Sequence, residues 1–204
     1  MGNKKRREII VIGAGLGGMS AALSLALEGY KVTVFEKNDK VGGKLNVLSE
    51  QGFQFDLGPS ILTLPHIFAR TFKKAGKNIE DYIQICAVRP HWRNIFEDGT
   101  VVDLYPERQR MDEEAKKAGE PPENLHAFLE YSEKLYEIVN RGYFEKGLDD
   151  AAAFRSFYGL GAFLEFDLFR SMHQSVKRHF KTSYFIDIFD IFIKYGGSSA
   201  YQAP

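Results

Sequence analysis

The stretch EIIVIGAGLGGMSAALSLALEGYKVTVFE, Glu8 to Glu36, decides the fold. It opens with EIIVI, Glu8–Ile12, a β-branched run of the kind that forms a buried parallel strand. Glycines follow at 13, 15, 17 and 18. Leu16–Glu28 is rich in Ala and Leu at helical spacing, and Gly29 supplies its stop. KVTVF, Lys31–Phe35, then reads as a second strand. Strand, glycine turn, helix and strand within about 30 residues make a βαβ unit. The predicted class is α/β.

Gly13, Gly15 and Gly18 stand in a G-x-G-x-x-G frame. The first glycine permits the tight turn out of the strand, the second lets backbone approach a pyrophosphate, and the third lets helix and sheet pack closely. An anion there sits at the positive end of the helix that begins near Leu16. Glu36 lies 18 residues beyond Gly18, where an acid accepts hydrogen bonds from ribose hydroxyls. An acid at that place disfavours a 2′-phosphate, so NADP is not expected. The frame alone leaves NAD and FAD open.

Composition limits the alternatives. Of 204 residues, 44% are hydrophobic and 26% charged, ordinary for a globular chain. Lys plus Arg and Asp plus Glu both number 27, so no strong general field attracts nucleic acid, and none is expected as a partner. Cys86 is the single cysteine, which excludes an intrachain disulfide and fits a reducing compartment; it reads as a small buried apolar residue. The five histidines are scattered, with no metal-ligand spacing, so no metal is expected. No stretch of 18 apolar residues marks a transmembrane helix. MGNKKR resembles a myristoylation start, but Arg6 stands where Ser or Thr is wanted.

Further along, Pro65–Ala75 reads as a helix ended by Gly76. HWRNIFEDGTVVDLY reads as a β-hairpin with a type I′ turn at Asp98-Gly99. Pro106–Pro122 is polar and reads as a surface connection between subdomains, and the boundary is drawn at 105/106. Leu125, Phe128, Leu129, Leu135, Ile138 and Val139 mark an amphipathic helix. Phe163–Phe180 carries a helical apolar stripe, and YFIDIFDIFIKY is assigned as helix. The chain ends at SSAYQAP without a closing element, so it is expected to be a fragment.

VFEKNDKVGGK, Val34–Lys44, resembles the extended fingerprint of two-dinucleotide-binding flavoproteins of the amine-oxidase-like superfamily. That family follows its acid with two glycines and usually an arginine; Lys44 stands in the last place here, without the bidentate fork. GGKLNVLSEQGFQFDLGPSILTLPHIF, PHWRNIFEDGTVVDLY, YFEKGLDD and FIKYGGSSAYQAP extend the resemblance to the bacterial carotenoid (phytoene and diapophytoene) desaturases and their oxygenase relatives. FDLGPSILTLP and KYGGSSAY look most like enzymes acting on thirty-carbon diapocarotenoids.

The resemblance implies a Rossmann-like FAD-binding domain over residues 1–105 and the start of a helical substrate and membrane-facing domain over 106–204. It implies an acyclic carotenoid as substrate and a peripheral place on the cytoplasmic membrane. For FAD it implies Gly13, Gly15, Leu16, Gly17 and Gly18 at the loop, with Glu36 and Lys37 after the second strand. Gly43 and Lys44 follow at the second glycine pair, and Gly58, Pro59 and Ser60 near the flavin. The expected reaction is desaturation by hydride transfer to flavin. Terminal-methyl oxidation is the alternative, beside a non-catalytic prenyl-lipid binder on the same fold or an amine oxidase acting on a soluble amine. No catalytic residue is assigned: His66 reads as a helix-surface residue, Trp92 as a packing residue and Arg93 as the partner of an internal carboxylate. Phe163–Tyr195, with Arg170, Lys177, Arg178 and Lys181, has two readings, a membrane-docking surface or the core of the second domain.

Overall fold

Helix α1 (Leu16–Leu27) covers one face of a parallel strand pair, β1 (Glu8–Ile12) and β2 (Lys31–Phe35). The computed structural model describes residues 7–147, 151–159, 166–167 and 169–203. In register, Ile9 lies opposite Val32 and Val11 opposite Val34, and these four half-buried side chains share one face. Val11 comes within contact of Gly18 on α1, which identifies that face as the covered one. The other face presents Ile10, Ile12 and Phe35, with Ile12 88% exposed. Gly29, at φ +91°, ends α1 as expected.

A hairpin that the sequence reading passed over follows, β3 (Val47–Glu50) and β4 (Phe53–Asp56). Its two-residue turn is Gln51-Gly52, with φ of +50° and +83°. Positive φ at both central residues is the type I′ signature. Leu48, Phe53 and Phe55 lie on one exposed face of it. Helix α2 (Pro65–Lys74) matches the expected Pro65–Ala75 span, and Gly76 takes a positive φ behind it. Phe72 on α2 packs its ring on Tyr82, just beyond a 3-10 turn at Ile79–Asp81.

The compact units divide between Cys86 and Ala87. The sequence boundary was drawn later, at 105/106. The second unit begins with the hairpin β5 (Trp92–Ile95) and β6 (Val101–Leu104). Its turn is not type I′. Asp98 has no positive φ and Gly99 does, while Gly99 N–H donates to Phe96 O at 3.0 Å. That is a type I turn closed by a glycine bulge. Pro106–Pro122 is not merely a connection, because it contains helix α3 (Arg108–Lys117). Met111, Ala115 and Ala118, four and three residues apart, are buried and tie it to β6.

Helix α4 (Pro122–Val139) runs where the amphipathic pattern put it, then widens into a π turn over Asn140–Phe144. Helix α5 (Ala151–Tyr158) packs Tyr158 over that turn; a Cβ on Gly142 would fall 1.9 Å from the Tyr158 hydroxyl. The expected continuous helix of Phe163–Phe180 does not form across its second half, and residues 163–165 and 168 lie outside the described residues. Ser171 instead caps a new helix, α6 (Met172–Lys177): its hydroxyl accepts from Gln174 N–H, and the Gln174 side chain accepts from Ser171 N–H. This Ser-x-x-Gln capping box was readable and was missed. Helix α7 (Ser183–Asp190) and a 3-10 turn, Ile191–Gly196, form the YFIDIFDIFIKY segment.

Leu125, Phe128, Val176, Phe180, Phe185 and Ile188 are buried together with Val102 and Leu104 as the core of this unit. Much of the aromatic segment is therefore core. The remaining exposed apolar residues there include Phe169, Ile191 and Tyr195. Trp92 packs edge-on to Phe192 with the Lys194 ammonium 4.2 Å above its ring. Arg93 finds the expected carboxylate in Asp103, directly opposite in register, through two bonds of 2.8 Å. Cys86 is exposed, not buried; it lies in an extended stretch with no helix or strand to cover it.

A buried carboxylate joins two of these helices. Gly119 ends α3 at φ +74°, and Glu120 N–H donates to Ala115 O at 2.8 Å, the outer bond of a Schellman cap. Glu120 is thereby turned inward, 1% exposed. Its oxygens accept from Lys181 N–H, Thr182 N–H, the Thr182 hydroxyl and Asn124 Nδ2. Two of these donors are backbone groups at the start of α7, a favourable place for negative charge.

Two predictions follow from this unit. Glu120→Ala leaves those donors without an acceptor and destabilises the fold by about 2 kcal/mol, read as a lower urea midpoint of the Trp92 fluorescence. Hydrogen bonds from Arg93 hold the Asp103 carboxyl below its ordinary value, against the opposing effect of burial. A depressed folded value stabilises fully above the unfolded value, about pH 4. That stabilisation is lost as pH falls further. Asp103→Asn is expected to lower stability at neutral pH and to flatten its decline in acid, measured as urea midpoints across that range.

Candidate dinucleotide site

The turn out of β1 is built from backbone. Gly13, at φ +95°, donates its N–H to Phe35 O at 2.7 Å, which fixes the loop to the end of β2. Gly15 caps α1 with no side-chain acceptor, and no acidic residue occupies the first turn. The first-turn N–H groups of α1 therefore have no capping side chain as acceptor, as an anion cradle requires. Leu16 and Gly17 begin the helix, both exposed, and open space surrounds the Gly17 Cα. Gly18 lies so close to the loop that a Cβ there would fall 1.9 Å from Gly13 O. No larger residue fits without parting helix and strand.

The second glycine pair comes to the first. Gly42 N–H donates to Ala14 O at 2.8 Å, and Gly15 and Gly42 form a parallel bridge. A Cβ on Gly43 would meet Gly15 Cα at 3.1 Å. Gly58 stacks on the next layer, since a Cβ there would fall 1.8 Å from Lys44 O. Leu57 N–H, one residue earlier, donates to Asn46 O at 2.8 Å and holds that crossing. The sequence reading expected donors to the cofactor near Gly58. Its visible role is to let its own strand of chain lie on the Lys44 carbonyl.

Glu36 reaches back to the loop. Its Oε2 accepts from Ala14 N–H at 2.7 Å, and its Oε1 accepts from Asn38 N–H and Asn38 Nδ2 at 3.0 and 2.8 Å. These bonds, the one from Ala14 first, hold its carboxyl below the ordinary value, so it is ionised at neutral pH. A fixed carboxylate beside a glycine loop is an acceptor suited to ribose hydroxyls. Lys37, Lys44, Pro59 and Ser60 are exposed in the same unit. Asn38 was not singled out from the sequence, although an Asn two residues beyond an acid is a common local donor.

The residues fit a dinucleotide at its pyrophosphate and adenosine ribose: an uncapped helix start, a cradle that side chains would fill, and an oriented acid. Elsewhere, His66 lies on α2 and Trp92 packs in its hairpin, as expected. Among the described residues no group of His, Cys, Asp and Glu is arranged to hold a metal ion. No helix among them is long and apolar enough to cross a membrane.

Residues 11–75 match the family described as NAD(P)-binding Rossmann-like domain. The chain is 52% identical over 206 residues to 4,4'-diapolycopene oxygenase of Methylomonas sp, covering 100% of this chain and 41% of that protein. It is 41% identical over 201 residues to 4,4'-diaponeurosporene oxygenase of Staphylococcus haemolyticus, covering 98% of this chain and 40% of that protein. The Staphylococcus aureus protein of the same name is 40% identical over 97% of this chain. The chain thus spans about two fifths of the length of the relatives it matches. These names favour the terminal-oxidation alternative over the desaturation put first from the sequence. With a match to a Rossmann-like dinucleotide domain over residues 11–75 and this likeness along its whole length, the chain is similar to part of the diapocarotenoid oxygenases.

Proposed function

We propose that this chain is the dinucleotide-binding part of a diapocarotenoid oxygenase that uses FAD and oxidises a terminal methyl group of an acyclic thirty-carbon polyene. The observation that carries this reading is the 52% identity to 4,4'-diapolycopene oxygenase, which runs over the whole chain and not only over the nucleotide loop. Both the glycine crossing and the aromatic helical unit are inside it. Desaturation of a related polyene is the second reading. An amine oxidase for soluble amines and a non-catalytic lipid binder have no comparable support.

The first-turn N–H groups of α1 bind the pyrophosphate, and the free lone pair on Glu36 Oε2 accepts from the adenosine ribose. Backbone at Gly43, Lys44 and Gly58 runs beside the cofactor, the two glycines letting these segments lie directly on Gly15 and on the Lys44 carbonyl. The second glycine pair is what favours FAD over NAD. When bound, FAD would supply two-electron redox chemistry at carbon, and dioxygen as co-substrate balances the reaction: a methyl group and O2 give an aldehyde and water. This chain's residues anchor and orient its adenosine end, and orientation is the larger part of what a protein adds to such chemistry.

A polyene reaches such an enzyme from a bilayer, so peripheral contact with the cytoplasmic membrane is part of the proposal. Phe169, 87% exposed, together with Ile191 and Tyr195, supplies apolar contacts. Arg170, Lys177, Arg178, Lys181 and Lys194 are exposed cations of the same stretch. The uncovered faces of β1–β2 and β3–β4 suit packing by the remainder of the longer protein.

Expression of the intact gene in cells making thirty-carbon polyenes tests the reaction. The expected product gains one oxygen and loses two hydrogens at a chain end, seen by mass. Loss of two hydrogens without oxygen moves the assignment to desaturation, and an untouched precursor overturns both. For the cofactor, Glu36→Ala is expected to weaken FAD retention about tenfold, the worth of one charged hydrogen bond. Retention is read as flavin absorbance per protein after gel filtration; wild-type retention in the variant would remove Glu36 from the site.

A further inference from the structure

The Glu36 carboxylate is held from two sides, and only one of its holders belongs to the glycine loop. Ala14 N–H engages Oε2. On the other side, Asn38 gives Oε1 two donors, its backbone N–H at 3.0 Å and its side-chain Nδ2 at 2.8 Å. An ionised carboxylate has about four acceptor directions. Two of the three bonds fall on Oε1 and one on Oε2, with the Lys37 N–H also favouring the ionised form, so the less occupied oxygen is Oε2, the one beside the loop. A carboxylate only accepts, so the Asn38 amide must turn its nitrogen toward Glu36. Asn38 is itself exposed, and among the described residues its side chain makes no other hydrogen bond. It does not belong to a core and braces no other element.

We infer that Asn38 is a positioning residue for nucleotide recognition: it occupies Glu36 Oε1, locks the carboxylate plane and leaves Oε2 as the single acceptor offered to a ribose hydroxyl. The inference rests on the dinucleotide reading of the loop and adds to it the residue that prepares the acid. An exposed glutamate without this brace samples several rotamers, and binding must then restrict them. With the brace, that restriction is made on folding. The two backbone N–H groups remain in any variant, so what the Asn38 side chain contributes is the last donor to Oε1 and the exclusion of rotamers that point Oε2 away from the loop.

The test uses the intact protein freed of nucleotide and compares, by calorimetry, ADP with 2′,3′-dideoxy-ADP, which lacks both ribose hydroxyls. Wild type is expected to prefer ADP about tenfold. In Asn38→Ala the preference is expected to fall to about threefold or less, half the free energy or more, while dideoxy-ADP affinity and the melting temperature stay unchanged. Asn38→Ser keeps a short donor and is expected to regain part of the preference. An undiminished preference in Asn38→Ala overturns the inference. So does an equal weakening of both ligands with a lower melting temperature, or a serine variant no better than alanine. If wild type shows no binding of ADP, or no preference, the dinucleotide or ribose reading itself fails, and that outcome is separate from a failure confined to Asn38.

Discussion

Backbone lying directly on backbone is the constraint from which the first unit follows. Gly18 rests on the Gly13 carbonyl, Gly43 on Gly15, and Gly58 on the Lys44 carbonyl. A methyl group at Gly18 or Gly58 would sit less than 2 Å from an oxygen, well inside any van der Waals contact. These contacts bring three stretches, distant in sequence, into one stack beside the start of α1. The stack has little apolar area of its own: among the described residues of this unit only Ala14 and Ala22 are buried. Its geometry is set by hydrogen bonds such as Gly13 N–H to Phe35 O and Gly42 N–H to Ala14 O, not by a core. A surface built this way offers N–H groups at short range and keeps side chains out of the space a diphosphate needs.

The second unit is organised on the opposite principle. It has a continuous apolar core, and Glu120, 1% exposed, is surrounded by donors. Glu120 is delivered to the start of α7 by the cap that ends α3, so stopping one helix and starting another is a single arrangement. Many of the apolar residues that suggested lipid contact are spent inside this core: Phe180, Phe185 and Ile188 are buried with Phe128 and Val176. What is left outside is a thinner set, Phe169, Ile191 and Tyr195. A docking surface here is therefore a fringe of side chains around a packed body, and its affinity for a bilayer would come from few apolar groups aided by cations.

The βαβ unit was legible because periodicity and glycine spacing state it twice: the strands are β-branched runs, and the frame needs no side chain to be inferred. The place of Glu36 at the end of β2 was legible for the same reason, and it does reach back to the loop at Ala14. Less visible were features that depend on one or two residues. Gln51-Gly52 turns a hairpin with a non-glycine residue at positive φ, for which Gln is an uncommon choice. Helix α3 is mostly charged, and its inward side is only Met111, Ala115 and Ala118, so its polarity concealed a short apolar seam. The Phe163–Phe180 stripe misled in the other direction, since apolar spacing ran through Ser171, where a capping box breaks the chain into a new helix. Cys86 was misread because residue type was taken for environment; burial belongs to the neighbours, and this cysteine has no helix or strand over it.

The same contrast separates the proposed cofactor site from the proposed reaction on a substrate. The proposed adenosine site is local: loop, helix start, Glu36 and Asn38 lie within Gly13–Gly43 and are mutually hydrogen bonded. Each part is fixed by a neighbour close in sequence or by the paired strand, so the arrangement is complete once β1, α1 and β2 have assembled. Reaction at a carbon has no comparable local signature here. Its demands are a dry, aligned channel and an electron acceptor, and neither requires a charged side chain at a set spacing. That difference explains why the nucleotide site can be named residue by residue while the oxidation is argued from likeness over the whole chain. It also gives Asn38 its weight: in a site made almost wholly of backbone, the orientation of the one carboxylate is the variable that a side chain can still control.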